Sequence, residues 1–147
     1  MKRYVLDTNL YIEAGRDRDW AEELARFVSA HLPLIHLHAV VAQELLAGTV
    51  DAGKARLVER GLVRPFEKRG RVVTPSFGTW KRAGSIMARL VRTKKMSPGG
   101  FGRSFVNDCL LGASCREEGL TLITRNTRDF ELIRGVEEFE LVAPWPE

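Results

Sequence analysis

The segment Arg3-Tyr4-Val5-Leu6-Asp7-Thr8-Asn9 determines how the rest of this sequence is interpreted. Its aromatic and β-branched run predicts a buried strand, and a carboxylate and two small polar side chains follow directly. In open α/β sheets, ligands bind beyond the carboxyl ends of the strands. Asp7 is therefore the first candidate site residue, and we expect its partners further along the chain.

Length and composition predict a single domain spanning residues 1–147, of which 44% are hydrophobic and 29% charged, as is usual for globular proteins. No apolar run approaches the roughly 20 residues needed to cross a bilayer, so we expect no association with membranes. The first strand begins almost at Met1 and leaves no room for a signal peptide. These features predict a cytoplasmic protein.

The charge and the cysteines are consistent with that expectation. The net charge of +4 favours an anionic partner such as nucleic acid, although a basic surface is equally typical of simple solubility. Cys109 and Cys115 lie six residues apart in one predicted helix. That separation is roughly 9 Å, beyond the disulfide reach of about 7 Å. We expect both thiols to be reduced.

Strands and helices alternate along the chain. Short runs rich in β-branched and aromatic residues predict strands at 3–6, 34–38, 71–74, 120–124 and 139–142. Helical spacing of apolar residues predicts helices at 10–15, 20–32, 39–48, from Asp51 to near Pro65, 77–95 and 103–118. Residues 97–102 form a flexible break, and 126–133 a loop with one helical turn. Because parallel strands need helix-length connections, this order predicts a parallel sheet with helices on both faces.

Glu44 is an acid on a predicted helix with apolar neighbours. One helical turn away lie Val40, Val41 and Ala47, so the carboxylate projects from a largely apolar face. A buried, unpaired carboxylate is costly and usually needs a cation, a hydrogen-bond network or a raised pKa. An exposed position at the edge, or an arginine partner, would explain Glu44 equally well.

Asp108 and Asp129 are the other two acids with unusual positions. Asp108 interrupts the apolar helix segment 105–113, where aspartate forms helix poorly and fits badly in a core. It could instead complement the dipole at the start of its helix. Asp129 follows the polar segment 124–128 and could simply cap a turn, just as Asp7 could cap a helix.

Together the four acids predict a common site. One follows the first strand, one lies on the helix after the second strand, and two flank the fourth strand. Like charges gathered in one crevice would destabilise the fold unless a cation neutralised them. Oxygen ligands suit Mg²⁺ or Mn²⁺, and Mg²⁺ usually keeps several waters.

Three blocks of sequence resemble PIN-domain ribonucleases, specifically the VapC toxins of bacterial toxin–antitoxin pairs. They are YVLDTNLYI from Tyr4, VVAQELLAG around Glu44, and FVNDCLLGASCREEGLTLITRNTRDFELI from Phe105. The resemblance covers nearly the whole chain. It implies a three-layer α/β/α sandwich with a central, mainly parallel sheet, a Mg²⁺- or Mn²⁺-dependent endoribonuclease, a cognate VapB-like antitoxin and a homodimer.

The resemblance also implies roles for individual residues. Asp7, Glu44 and Asp108 match the acidic metal-site positions of the family, and either Asn126 or Asp129 matches the fourth. The supporting groups that would hydrogen-bond carboxylates or bound water are Thr8, Asn9 and Thr124.

Phosphodiester hydrolysis by a metal-activated water is the chemistry that such a site would perform. We expect basic side chains near the crevice to contact the RNA, first Arg125 and Arg128, because a guanidinium suits phosphate. His31, His36 and His38 are expected to be structural. We expect the antitoxin to insert a peptide across the acidic crevice.

Three other functions compete with the nuclease. A phosphatase of the haloacid dehalogenase type needs a second aspartate two residues after the first, where this chain has Asn9. A receiver domain needs a lysine after its last strand and an aspartate after its third, and neither is evident. A catalytically silent PIN-like interaction scaffold is disfavoured by the retained acids but stays open.

Overall fold

A five-stranded parallel sheet forms the centre of the protein, whose computed structural model describes all 147 residues. The strands are β1 (Arg3–Leu6), β2 (Ile35–His38), β3 (Val72–Val73), β4 (Leu120–Ile123) and β5 (Glu140–Val142). Helices flank the sheet in the predicted three-layer α/β/α arrangement, which is confirmed.

Eight α-helices connect and cover the strands. They are α1 (Thr8–Ala14), α2 (Arg18–His31), α3 (Ala39–Ala47), α4 (Ala52–Val58), α5 (Arg64–Lys68), α6 (Phe77–Arg92), α7 (Arg103–Glu118) and α8 (Thr127–Arg134). A short 3₁₀ helix, Leu32–Leu34, leads from α2 into β2. None of these helices is long and apolar enough to cross a membrane.

The spatial strand order is β3-β2-β1-β4-β5. The chain runs from β1 outward through β2 and β3, then returns to the other side of β1 to form β4 and β5. The order therefore reverses between β1 and β4, and such a switch point opens a crevice at the carboxyl ends of the strands. Leu6 is in register with Ile123, so Asp7 and Thr124 emerge side by side at this crevice.

Burial of apolar side chains explains the central position of β1 and β4. All four residues of β4 are buried, as are Tyr4, Val5 and Leu6 of β1. Strands covered on both faces carry such continuous apolar runs. Cys109 and Cys115 are buried free thiols in α7, as expected.

The helix after Asp51 extends further than predicted. Asp51 caps α4 as expected, its side chain accepting a hydrogen bond from the Lys54 backbone N–H. The chain then passes through a π-helical turn, Glu59–Val63, into α5, with Pro65 in the first turn of that helix. Proline is tolerated in a first turn because that N–H needs no partner in the helix. The predicted end near Pro65 is therefore wrong.

The segment after β4 also differs from prediction. In place of a loop with one helical turn, residues Thr127–Arg134 form the two-turn helix α8. Its buried residues, Phe130 and Ile133, are spaced for one face and pack into the core. Only this tertiary packing stabilises so short a helix.

Candidate metal site at the carboxyl end of the sheet

Asp7 directly follows β1, caps α1 and lines the crevice. The side chain is only 5% exposed. Its Oδ1 accepts a hydrogen bond from the Thr8 backbone N–H at 2.8 Å, and its Oδ2 accepts one from Thr124 Oγ1 at 2.7 Å. Burial raises the pKa of Asp7, the two hydrogen bonds oppose that rise, and the charge of Glu44 adds to it. The capping role and the site role therefore coexist in one side chain.

Glu44 approaches Asp7 from α3. Thr8 Oγ1 donates a hydrogen bond to Glu44 Oε1 at 2.7 Å, which links the first turn of α1 to α3. Val40 and Val41 are buried beside it, whereas Ala47 is exposed, so Glu44 lies half-buried at the margin of the apolar face. Its carboxylate has a hydrogen-bond partner and is not isolated in the core.

Asp108 completes the group from α7. It is 5% exposed, and burial raises the pKa of its carboxyl to about 8, with further contributions from the charges of Asp7, Glu44 and Asp129. Because the charges of three other acids raise its pKa, the Asp108 carboxyl must lie close to all three. The structure thus brings together acids that are far apart in sequence.

Asn126 and Asp129 occupy different positions at the site. Asn126 Nδ2 lies 3.4 Å from Asp108 Oδ2 and 3.4 Å from Asp129 Oδ2, so the amide bridges the two acids. Asn126 lines the acid pocket, whereas Asp129 is not among its lining residues. Both predicted candidates for the fourth position therefore contact the site, and of the two only Asn126 lines the acid pocket.

Thr124 and Asn9 form a supporting polar network. Thr124 Oγ1 donates to Asp7 and accepts from the Asn126 backbone N–H at 2.9 Å. Asn9 Nδ2 makes a longer contact of 3.5 Å to the same hydroxyl oxygen. Asn9 Oδ1 is buried and lacks a hydrogen-bond partner, an exception that a functional group or a bound ion usually explains.

These side chains surround a pocket of about 210 Å³, called here the acid pocket. Its polar walls include Asp7, Asn9, Glu44, Ser104, Asp108 and Asn126. A wider groove of about 770 Å³ adjoins it and shares Thr8, Ile12, Glu44 and Ser104. The acid pocket therefore opens onto a surface large enough for an extended ligand. Ser104 was not predicted as a site residue, because nothing in the sequence around it marks it as one.

The acid pocket has the donor set for a hydrated divalent cation. No three of its carboxylates are close enough to form a complete ligand group by themselves. Mg²⁺ commonly binds through one or two carboxylates and keeps several waters, so a complete protein shell is not required. The raised pKa of Asp108 and the unpartnered Asn9 Oδ1 both indicate that a positive charge fits there.

Arg125 and Arg128 are both exposed, and Arg125 directly precedes the pocket residue Asn126. The Arg125 guanidinium carbon lies 4.9 Å from the centroid of the Trp20 ring, and Arg125 Nη1 lies 3.8 Å from Glu13 Oε2. Trp20 was predicted only as the first residue of the helix 20–32, and Glu13 was not predicted as a site residue. The spacing of Glu13, one helical turn after Asn9, was the available signal.

The histidines lie outside the acid pocket. His38 Nδ1 accepts a hydrogen bond from the Val40 backbone N–H at 3.0 Å and caps α3. Nε2 must then carry the proton, which it donates to Ser114 Oγ at 2.9 Å. Burial lowers the pKa of His38 to about 4. The predicted structural role is confirmed for this residue.

Comparison with known proteins supports the fold and identifies a family model. The PIN domain model matches residues 4–136. A search of curated proteins gives no match.

Similar solved structures include three toxin–antitoxin and related complexes. The DNA-bound VapBC from Salmonella typhimurium has a TM-score of 0.71 and 22% identity, over 97% of this chain and 98% of that one. FitAcB from Neisseria gonorrhoeae has a TM-score of 0.68 and 18% identity, over 98% and 99%. VapBC2 from Rickettsia felis, bound to a promoter DNA fragment, has a TM-score of 0.66 and 21% identity, over 97% and 98%. Identities this low establish a shared fold.

Proposed function

The chain belongs to the PIN-domain family, and from that premise we propose that it is a metal-dependent endoribonuclease acting as the toxin of a type II toxin–antitoxin pair. The observation that carries the proposal is the acid pocket, where Asp108 is buried against the charges of Asp7, Glu44 and Asp129. A fold that needed these residues only for stability would not gather like charges in a pocket.

Asp7, Glu44 and Asp108 would hold the ion, directly or through water, with Asn126 or Asp129 as the fourth contributor. When bound, Mg²⁺ or Mn²⁺ supplies Lewis-acid activation of water and of a phosphodiester oxygen. The protein's own contribution is to fix the carboxylates. Thr124 and the Thr8 backbone N–H orient Asp7, and the Thr8 hydroxyl orients Glu44.

The wide groove and the arginines would hold the RNA. The groove shares Glu44 and Ser104 with the acid pocket and also includes Arg103, so a bound strand would pass the carboxylates. Arg125 and Arg128, which do not line the groove, are the proposed RNA-binding residues. The proposal includes a cytoplasmic location, where RNA substrates are available.

A VapB-like antitoxin and a homodimer are the proposed partners. The similar structures include VapBC complexes from Salmonella typhimurium and Rickettsia felis, each bound to DNA. By analogy, a peptide of the antitoxin would cross the acid pocket and compete with RNA. A crystal structure of the complex that leaves the acid pocket open would contradict this mode of inhibition.

Cleavage of structured RNA tests the proposed activity. The purified protein, stripped of metal with a chelator, should be inactive and should regain cleavage on addition of Mg²⁺ or Mn²⁺. Asp7→Asn and Asp108→Asn should lose at least a hundredfold in rate at saturating metal. Asp19→Asn, which changes an exposed acid on α2, is the matched control and should retain full activity.

Two outcomes would favour other functions. Release of phosphate from small phosphoesters without RNA cleavage would identify a phosphatase. Inertness toward both substrates, with the fold intact and metal present, would identify a catalytically silent scaffold.

A further inference from the structure

A cluster of Glu13, Trp20 and Arg125 lies beside the acid pocket. The Arg125 guanidinium carbon is 4.9 Å from the Trp20 ring centroid. Trp20 itself is fixed, because its indole N–H donates a hydrogen bond to the Leu10 backbone oxygen at 3.3 Å and its ring contacts Trp145 at 5.8 Å between centroids. The guanidinium thus rests on an immobilised aromatic surface.

The chain places this cluster next to the residues of the acid pocket. Arg125 directly precedes Asn126, which lines the acid pocket. Glu13 lies four residues after Asn9 on α1, a rise of about 6 Å on the same face of the helix. A nucleotide adjacent to one bound in the acid pocket would therefore reach the cluster.

The outer surface of the cluster is accessible. The Arg125 side chain is 52% exposed and the Glu13 side chain 35% exposed. Their separation of 3.8 Å makes an ion pair but is too long for a hydrogen bond, so the carboxylate oxygens of Glu13 keep free lone pairs. One face of the guanidinium is covered by Trp20, and the rest of the group can meet a ligand.

The chemistry of the cluster suits a nucleobase better than a phosphate. The Glu13 carboxylate partly neutralises Arg125 and would repel a phosphate, whereas it can accept a hydrogen bond from an exocyclic amino group. Guanidinium planes and aromatic rings are surfaces on which unpaired RNA bases stack. Arg128, which has no acidic partner within ion-pair distance, stays free to bind phosphate.

We infer that Glu13, Trp20 and Arg125 form a nucleobase subsite, which takes an unpaired base carrying an exocyclic amino group next to the nucleotide in the acid pocket. The inference rests on the proposed ribonuclease function and deepens it. Arg125 stacks on the base, Glu13 accepts a hydrogen bond from its amino group, and Trp20 is a positioning residue that holds Arg125.

Nuclear magnetic resonance of the tryptophan indole groups tests this subsite. The experiment uses the Asp108→Asn protein with chelator, so that the RNA stays intact, and short unstructured oligomers of adenosine, cytidine or uridine. We expect the indole N–H resonance of Trp20 to move on titration with adenosine and cytidine oligomers, and to move less with uridine oligomers. Trp80, which lies exposed on α6, is the internal control and should not move.

Substitutions in the same background separate stacking from charge. Arg125→Lys keeps the positive charge but lacks the planar guanidinium group. It should weaken the binding of adenosine oligomers about tenfold and abolish the preference for them over uridine oligomers. Arg128→Lys should leave that preference unchanged. Glu13→Gln should reduce the preference for adenosine and cytidine oligomers over uridine oligomers. Trp20→Leu should lose affinity for adenosine oligomers, and Trp20→Phe should retain most of it. Melting temperatures establish whether each variant is folded. If Trp20→Leu does not fold, the Arg125→Lys variant alone is sufficient to test the subsite.

Two results would overturn the inference. The first leaves the proposed nuclease function standing, and the second contradicts it as well. If Arg125→Lys and Arg128→Lys weaken all three oligomers by the same factor while the Trp20 resonance stays still, Arg125 is only a phosphate contact. RNA cleavage by the unsubstituted protein would then still support the nuclease. If the unsubstituted protein neither binds nor cleaves any RNA, the subsite and the proposed function fail together.

Discussion

At the scale of single residues, Asp108 is a carboxyl group whose surroundings favour its protonated form. Burial comes first among the causes and the charges of Asp7, Glu44 and Asp129 follow, and together they raise its pKa to about 8 from the ordinary 3.8. The metal-free folded state therefore binds a proton that the unfolded state releases. This residue makes metal-free stability fall as the pH rises between about 4 and 8.

Asp108→Asn should remove that loss of stability. At pH 9 without metal, the variant should unfold with a free energy higher than that of the unsubstituted protein by ~2 kcal/mol. The difference should disappear near pH 4, where the native carboxyl is protonated. Urea unfolding at both pH values measures this, with Asp19→Asn as the exposed control. If Asp108→Asn lowered the free energy of unfolding equally at both pH values, ionisation of buried Asp108 would not be the cause of the instability.

His38 has the opposite pH dependence. Burial lowers its pKa to about 4 from 6.5, so the unfolded state gains a proton first as the pH falls. The stability that neutral His38 provides is complete above pH 6.5 and is lost as the pH falls through 6.5 toward 4.

His38→Asn should flatten this acid branch of the stability curve. Asparagine can still cap α3 by accepting from the Val40 backbone N–H, but it does not titrate. Urea unfolding between pH 7 and pH 4.5 should show a loss of ~2 kcal/mol in the parent and little in the variant. The measurement belongs in the Asp108→Asn background, where the opposing effect of Asp108 is absent. If the free energy of unfolding still fell by the same amount between pH 7 and pH 4.5 in the variant, His38 would not be the source of that loss.

At the scale of elements, α7 depends on close packing at Gly112. A Cβ added there would lie 3.0 Å from Ile133 Cγ2 on α8 and 3.1 Å from Phe139 Cε1. By contrast, a Cβ added at Gly84 on α6 would meet nothing within 4 Å. These two helical glycines therefore offer a matched pair for the same substitution.

Gly112→Ala should destabilise the protein by about 1–3 kcal/mol, because Ile133 or Phe139 must shift. Gly84→Ala should instead stabilise it by up to about 1 kcal/mol, since alanine restricts the unfolded chain and favours helix. Thermal unfolding of both variants checks the contrast. Stabilisation by Gly112→Ala would show that α7 and α8 leave room for a methyl group at this position.

At the scale of the whole molecule, the strand order creates the acid pocket. The reversal between β1 and β4 brings Asp7 and Thr124 together, and α3 and α7 then present Glu44 and Asp108 to the same crevice. Under the proposed function, a cation bound there would interact with the folded chain only, because the unfolded chain does not gather these oxygen atoms. Metal binding and global stability would therefore be linked.

Mg²⁺ should raise the melting temperature of the unsubstituted protein. At a concentration about 100 times the dissociation constant, binding adds about 2.7 kcal/mol, which corresponds to roughly 5 °C or more for a chain of this size. Asp7→Asn should show little of this gain. Scanning calorimetry with matched ionic strength provides the measurement. A rise of equal size in Asp7→Asn would indicate binding elsewhere.

The sequence alone determined the alternation of strands and helices, the parallel sheet and the identity of the acids. Local signals were sufficient here, because apolar periodicity and a carboxylate in an apolar segment are visible within a few residues, as at Asp108. The end of the helix beyond Pro65 could not be predicted, because a π-helical turn before a proline depends on what the chain packs against.

Only the tertiary structure decided the strand order, the convergence of Asp7, Glu44 and Asp108, and the contact of Arg125 with Trp20 and Glu13. Each of these joins residues distant in sequence, and no local pattern encodes which elements become neighbours. Burial favours that arrangement, because the apolar side chains of β1 and β4 are removed from water when the two strands lie together at the centre of the sheet.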